Sequence, residues 1–121
     1  MSDYRKLEIW CRARALSIRI QHLVKKLPRV EQFRRGDQLI RAANSIRNNI
    51  AEGSGLGTPP QFANRLRTSI GSANEVEDQL LELSDVDLLP AEDRDLIGEA
   101  SEVAAMIVSF RETVVRNERR K

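Results

Sequence analysis

A chain of 121 residues with 40% apolar content can fill one core and no more, because a domain usually takes roughly 100–200 residues. Its single cysteine, Cys11, excludes an internal disulfide and a cysteine-based zinc site, and its single histidine, His22, excludes two-histidine chemistry within one chain. Aromatic residues make up 4% and charged residues 31%, which favours helices with aliphatic seams over a sheet, and no apolar run reaches the ~18 residues of a membrane helix.

The first predicted helix runs from about Leu7 to Leu27. Ile9, Ala13, Leu16, Ile20, Leu23 and Leu27 follow steps of 4 and 3, the seam of a helix in a bundle, and Trp10, Ile18 and Val24 widen the stripe. Pro28 ends it, since the residue before a proline is pushed away from helical angles. Arg29 to Arg35 reads as a short polar connection. A second helix near 36–53 has Leu39, Ala43, Ile46 and Ile50 as its seam, with Gly53 placed to terminate it.

The third helix has the clearest start. Thr58 is the expected N-cap, Pro59 takes the first helical position and Gln61 completes a capping box. Phe62, Leu66, Ser69, Ala73, Val76, Leu80 and Leu83 form its seam. After a turn at Asp85–Leu89, Pro90 opens the last helix, where Glu92, Asp93 and Asp95 suit the positive end of the helix dipole. Ile97, Ala100, Val103, Ile107, Phe110 and Val114 are its seam. Short connections force antiparallel neighbours, so the expectation is a single all-α domain over 1–121, an up-down-up-down four-helix bundle with a short basic C-terminal tail. The first twenty residues carry Asp3, Arg5, Lys6, Glu8, Arg12, Arg14 and Arg19 instead of a secretory hydrophobic segment, and a cytoplasmic location is expected.

The net charge of +2 conceals an asymmetry. Residues 1–60 hold 12 Lys/Arg against 5 Asp/Glu, whereas residues 61–121 hold 8 against 13. Between Glu75 and Glu102 there are 11 acidic residues and one basic residue, Arg94. Such polarity can draw an anionic partner to one face or join unlike faces of identical subunits.

Helices two and three also carry polar stripes at helical spacing. Pairing them antiparallel sets Glu52 against Arg65, Asn48 against Thr68, Ser45 against Ser72, Arg41 against Glu75, and Gln38 against Gln79. Opposite charges meet at both ionic rungs, which predicts a ladder that fixes the register of the hairpin. The bland alternative is a solvated face whose numbering matches because any two heptad stripes tend to match. Gly71-Ser72, in mid-helix, would let another helix approach closely.

The stretch Gln38-Leu39-Ile40-Arg41-Ala42-Ala43-Asn44-Ser45-Ile46, continuing through Asn49-Ile50-Ala51-Glu52-Gly53, resembles the hallmark of one bacterial family. That family was first recognised as reading frames inside intervening sequences of the large-subunit (23S) ribosomal RNA gene. Phe62, Leu66, Gly71-Ser72, Glu75, Glu77 and Gln79-Leu80 resemble its second signature, and Leu7, Trp10 and Ala13 its opening helix. The similarity spans roughly residues 4–115, with departures at Arg47, where many relatives have proline, and at Ser69, where a small apolar residue is usual. The resemblance implies a four-helix bundle, a closed ring of identical subunits that is commonly a homopentamer, and no established enzymatic activity. A more distant resemblance by fold and assembly is to the accessory protein of diversity-generating retroelements, a basic pentameric bundle that binds nucleic acid and reverse transcriptase. Fold alone does not carry function.

Residues that could do chemistry are few. His22 has no second metal ligand at helical spacing and reads as a surface or seam-edge side chain. Cys11 beside Trp10 reads as packing. The carboxylates of residues 75–102 lack a glycine-centred calcium loop and any Glu-x-x-His pair, so they read as a solvated face or a subunit interface. Ser54-Gly55-Leu56-Gly57 follows a helix and lacks the Gly-Lys-Ser/Thr of a phosphate loop. No catalytic residue, metal or cofactor is expected, and the chain is expected not to be an enzyme.

Two functional classes remain. The first is an oligomer that binds RNA or DNA through Arg12, Arg19, Lys25, Lys26, Arg29, Arg34 and Arg35, together with Arg116, Arg119, Arg120 and Lys121. With few aromatic residues, and Trp10, Phe62 and Phe110 on seams, that binding would be to backbone phosphate without stacking platforms. The second is a structural or adaptor oligomer for another protein, whose basic half meets the acidic half of its neighbour.

Overall fold

In a computed structural model that describes residues 3–120, four long helices account for most of the described chain and no strand occurs among the described residues. They are α1 (Glu8–Lys26), α2 (Asp37–Ser54), α3 (Pro59–Asp85) and α4 (Asp95–Arg119). Each packs on its neighbours in the order α1–α2–α3–α4, and α4 returns to α1 at the sparsest of the four interfaces. Every pair of neighbours is antiparallel. Partners' numbers fall on one helix as they rise on the other, from Val24 against Gly36 to Trp10 against Arg47, and from Arg12 beside Glu99 to Lys26 beside Asp93.

The periodic seams become the core. Ile9, Ala13, Leu16, Ile20, Leu23 and Leu27 are buried, as are Leu39, Ala43, Ile46 and Ile50 of α2. Leu66, Ser69, Ala73, Val76, Leu80 and Leu83 of α3 meet Ala100, Val103 and Ile107 of α4 in the same core. Leu96, fully buried, opens the α4 seam one residue before the Ile97 read from the sequence, and Ile97 lies at its edge. Phe62 and Phe110 close the far end edge to face, ring centroids 5.7 Å apart.

Helix ends follow local chemistry. Thr58 caps α3 by accepting from the Gln61 amide at 3.4 Å, while its hydroxyl donates to Gln61 Oε1 at 2.8 Å, so the capping box closes through the two side chains. At the other end Leu88 N–H bonds to Leu83 C=O and Asp87 N–H to Ser84 C=O, a Schellman closure with Asp87 at φ 60 in the left-handed position. Pro90 caps a single 3₁₀ turn, Ala91–Asp93, so α4 itself starts at Asp95 and not at the proline.

Four expectations from the sequence are corrected. The Arg29–Arg35 connection is helical, an α turn at Arg29–Glu31 running into a π turn at Gln32–Gly36 and then directly into α2. Gly53 does not stop α2, which continues to Ser54; it is buried where α2 crosses α3, and a Cβ there would lie 2.7 Å from Arg65 Cβ and 2.9 Å from Phe62 Cδ1. Ile18 does not widen the buried stripe of α1 but is exposed on its outer face. Cys11 is likewise exposed, its thiol donating to Arg5 C=O at 3.3 Å. Both sit opposite the seam of α1: each lies two and five residues from its nearest seam members, offsets that helix geometry turns to the outer face.

Candidate nucleic-acid interface

The α2–α3 seam is polar and carries two of the five anticipated rungs. Arg65 Nη2 donates to Glu52 Oε1 at 2.9 Å, and the hydroxyls of Ser45 and Ser72 lie 2.7 Å apart. The rung between them is filled by Asn49 instead of Asn48. Asn49 is 9% exposed, donates to the carbonyl and hydroxyl of Ser45, and accepts from Arg65 at 3.3 Å. Asn48 faces solvent, and the Thr68 hydroxyl turns back to Asn64 C=O. Ser69, fully buried, donates to Ile46 C=O at 2.9 Å, which holds α3 against the α2 backbone.

At the other end of the hairpin the ladder dissolves. Arg41 and Glu75 form no ion pair among the described residues, and Glu75 accepts instead from Gln79 at 3.1 Å on its own helix. Gln38 and Gln79 border one crevice without bonding to each other. The two polar stripes bond across the seam from Glu52/Arg65 to Ser45/Ser72 and not beyond it toward the start of α2.

The basic residues divide into paired and unpaired sets. Arg12 makes a two-pronged bond to Glu99 (2.9 and 3.0 Å) and reaches Glu102 at 3.2 Å. Arg19 grips Asp95 with both Nη atoms and lies 3.6 Å from Asp93. Lys26 donates to Asp93 at 2.8 Å and lies 3.6 Å from Glu92. This seam joins one face of α1 to the acidic 3₁₀ turn Ala91–Asp93 and the first turns of α4, where helix packing is sparsest. The hydrogen bonds to these carboxylates hold the pKa values of Arg12, Arg19 and Lys26 above their ordinary values, and the bond from Arg19 holds Asp95 below its own.

The remaining candidates sit elsewhere. Arg35 pairs with Glu31 at 2.7 Å, and Arg34, largely exposed, stays 3.8 Å from the same carboxylate. Lys25 and Arg29 are exposed and have no carboxylate partner among the described residues. Arg14 and Arg41 share that state on the outward faces of α1 and α2, although neither is among the phosphate-binding residues expected from the sequence. Arg116 and Arg119 occupy the last turns of α4, and Arg120 caps it, so the basic tail is helical as far as Arg119; Lys121 lies outside the described residues. Arg47 stacks 5.0 Å over the Trp10 ring, which Tyr4 also meets edge-on, and so serves the α1–α2 packing.

The expected absence of aromatic platforms needs amending at one position. Trp10, Phe62 and Phe110 are engaged with other rings or cations, whereas Phe33 is 65% exposed beside the unpaired cations. Its neighbour at the same corner, Val30, is 64% exposed. Of the acidic run, residues 92–102 supply the seam to α1, while Glu75, Glu77, Asp78, Glu82, Asp85 and Asp87 have no cationic partner among the described residues. His22 is exposed, and among the described residues no group of three or more His, Cys, Asp or Glu could hold a metal ion. No helix among the described residues is long and apolar enough to cross a membrane.

A solved structure of a protein of unknown function from the S23 ribosomal protein family of Bacteroides thetaiotaomicron is similar in fold, with a TM-score of 0.79 and 24% identity over 86% of this chain and 95% of that one. No curated protein matches the chain. Residues 5–109 match the family described as 23S rRNA-intervening sequence protein, nearly the whole bundle including both polar seams. The chain belongs to the 23S rRNA-intervening sequence protein family.

Proposed function

We propose that this chain is a non-enzymatic, homo-oligomeric bundle, in its family's manner a ring of five, that binds RNA or DNA by its phosphate backbone. One observation carries the reading. The chain neutralises three α1 cations against α4 but leaves Arg14, Lys25, Arg29 and Arg41 exposed and without carboxylate partners among the described residues, on α1, the link and α2. Repeated around an oligomer, four such charges per subunit add to a field that attracts polyanions.

The test is a titration of mixed cellular RNA across a salt series, for the wild type and for Lys25→Glu with Arg29→Glu. Both positions are exposed and unpaired, so reversal leaves the internal ion pairs intact. Tight binding at low salt with a steep salt slope is expected for the wild type. The variant's slope should be shallower by about 0.7–0.9 for each phosphate it no longer neutralises. Absence of wild-type binding at about 50 mM salt refutes the proposal.

A second reading rests on a different observation. Six carboxylates on and after the C-terminal half of α3 lack cationic partners among the described residues, which suits a structural or adaptor oligomer whose acidic face meets a basic neighbour. If the Lys25/Arg29 reversal changes the particle mass in sedimentation and not the RNA affinity, this reading replaces the first.

A further inference from the structure

Phe33 is the most exposed large apolar side chain described, and it stands on a firmly anchored element. Gly36 closes the π turn with no room for a Cβ, which would lie 2.5 Å from Val24 Cγ1, so the start of α2 presses against α1. The Gln32 side chain donates to Leu27 C=O at 2.9 Å and reaches Lys25 C=O at 3.4 Å, tying the turn to the end of α1. A π turn widens the helix by one residue, and such turns concentrate at functional positions.

The ring borders an open cleft of about 390 Å³ between α1 and α2. Val24 and Ile40 give it apolar walls, and Gln21, Asn44 and Asp37 bring polar groups with no hydrogen-bond partner among the described residues. Lys25 lines the same cleft, and Arg29 and Arg34 flank Phe33 in sequence, one helical turn before it and directly after it. An apolar ring alone would suit any apolar partner. The surrounding cations, with amides and one carboxylate beside an aromatic face, match a strand that carries phosphates outside and flat bases with donor and acceptor edges inside.

We propose that the Phe33 cleft binds an unpaired nucleobase of a single strand. The base stacks on the Phe33 ring and turns its edge to Gln21, Asn44 and Asp37, while Lys25, Arg29 and Arg34 hold the neighbouring phosphates. Asp37 can accept from an exocyclic amine, as carboxylates do from cytosine. This inference rests on the nucleic-acid reading above and adds to it a preference for single strands over duplex.

The experiment compares three labelled probes of one sequence, a single-stranded RNA, a single-stranded DNA and a duplex, against wild type, Phe33→Leu and Phe33→Trp. Leucine keeps the apolar surface without the stacking face; tryptophan keeps both. Phe33→Leu is expected to weaken single-strand binding at least about fivefold, leave duplex binding within about twofold, and be rescued by Phe33→Trp. The RNA and DNA arms show which single strand supplies the base. Ultraviolet crosslinking of the wild type should attach the strand to the tryptic peptide of residues 30–34, which contains Phe33. If the wild type binds and Phe33→Leu binds equally well, or loses single strand and duplex alike, base stacking is refuted and phosphate binding stands. If Phe33→Leu changes the particle mass, the corner is a protein interface and the proposal falls. If the wild type binds no probe, both this inference and the function it rests on fail.

Discussion

The same substitution at two glycines should change stability in opposite directions. Gly71 lies inside α3 and Gly53 in the last turn of α2, both at helical positions where alanine is favoured over glycine by about 1 kcal/mol. At Gly71 an added Cβ meets nothing within 4 Å, so Gly71→Ala should realise most of that gain. At Gly53 it would stand 2.7 Å from Arg65 Cβ, an atom fixed to the α3 backbone, and 2.9 Å from the Phe62 ring. Because both contacts fall below 3.0 Å and one is to a backbone-fixed atom, separating the helices or turning the ring costs about 2–3 kcal/mol, the upper part of the range for overpacking, which outweighs the helix gain and leaves a net loss of about 1–2 kcal/mol. At about 4 °C per kcal/mol for a chain of this size, Gly53→Ala should melt about 4–8 °C lower and Gly71→Ala about 2–4 °C higher. Circular-dichroism melts, checked by urea titration, read both. A neutral or stabilising Gly53→Ala would refute the close α2–α3 approach. A destabilising Gly71→Ala would mean that a neighbouring subunit occupies the space beside it, as the Gly71-Ser72 pair suggests from sequence alone.

The polar seams carry two further predictions. Double-mutant cycles along α2–α3 should find coupling for Glu52/Arg65, about 0.2–1 kcal/mol for a solvent-facing pair, and none beyond about 0.3–0.5 kcal/mol for Arg41/Glu75; a larger Arg41/Glu75 coupling would show that the ladder continues past Ser45/Ser72. The α1–α4 seam should be acid-labile. Because the Arg19 hydrogen bond holds the Asp95 carboxyl below its ordinary 3.8, that residue stabilises the fold above the unfolded value, and the contribution disappears as pH falls through the depressed folded value. The melting-temperature gap between wild type and Asp95→Asn, open at about pH 7, should therefore narrow below about pH 4, and a gap that keeps its size at the acid end would contradict this assignment.

Much of the fold is legible in the residues because it is local. Seam spacing depends on helix geometry alone, so Leu16, Ile46, Val76 and Ile107 can be placed in a core before any helix is packed. Thr58 caps α3 through an amide three residues away, and the short links between helices require antiparallel neighbours. The corner at Arg29–Arg35 is harder to read. Its polar composition suits a loop, and only the pressing of Gly36 onto Val24 shows a continuous helical path whose π turn leaves Phe33 outside.

The amino-acid sequence by itself determines four amphipathic helices, their order and the polar stripes they carry. It does not determine how far each helix rotates about its own axis, and that rotation decides whether Asn48 or Asn49, both at helical spacing from Ser45 and Glu52, enters the α2–α3 seam. Nor does it show which cations are free. Arg12, Arg19 and Lys26 find carboxylates 87, 76 and 67 residues further along the chain, and only the closing of α4 against α1 brings those charges together. The exposed cations without carboxylate partners, Lys25 and Arg29 near Phe33 among them, are the remainder after that pairing, and only the packed bundle defines them.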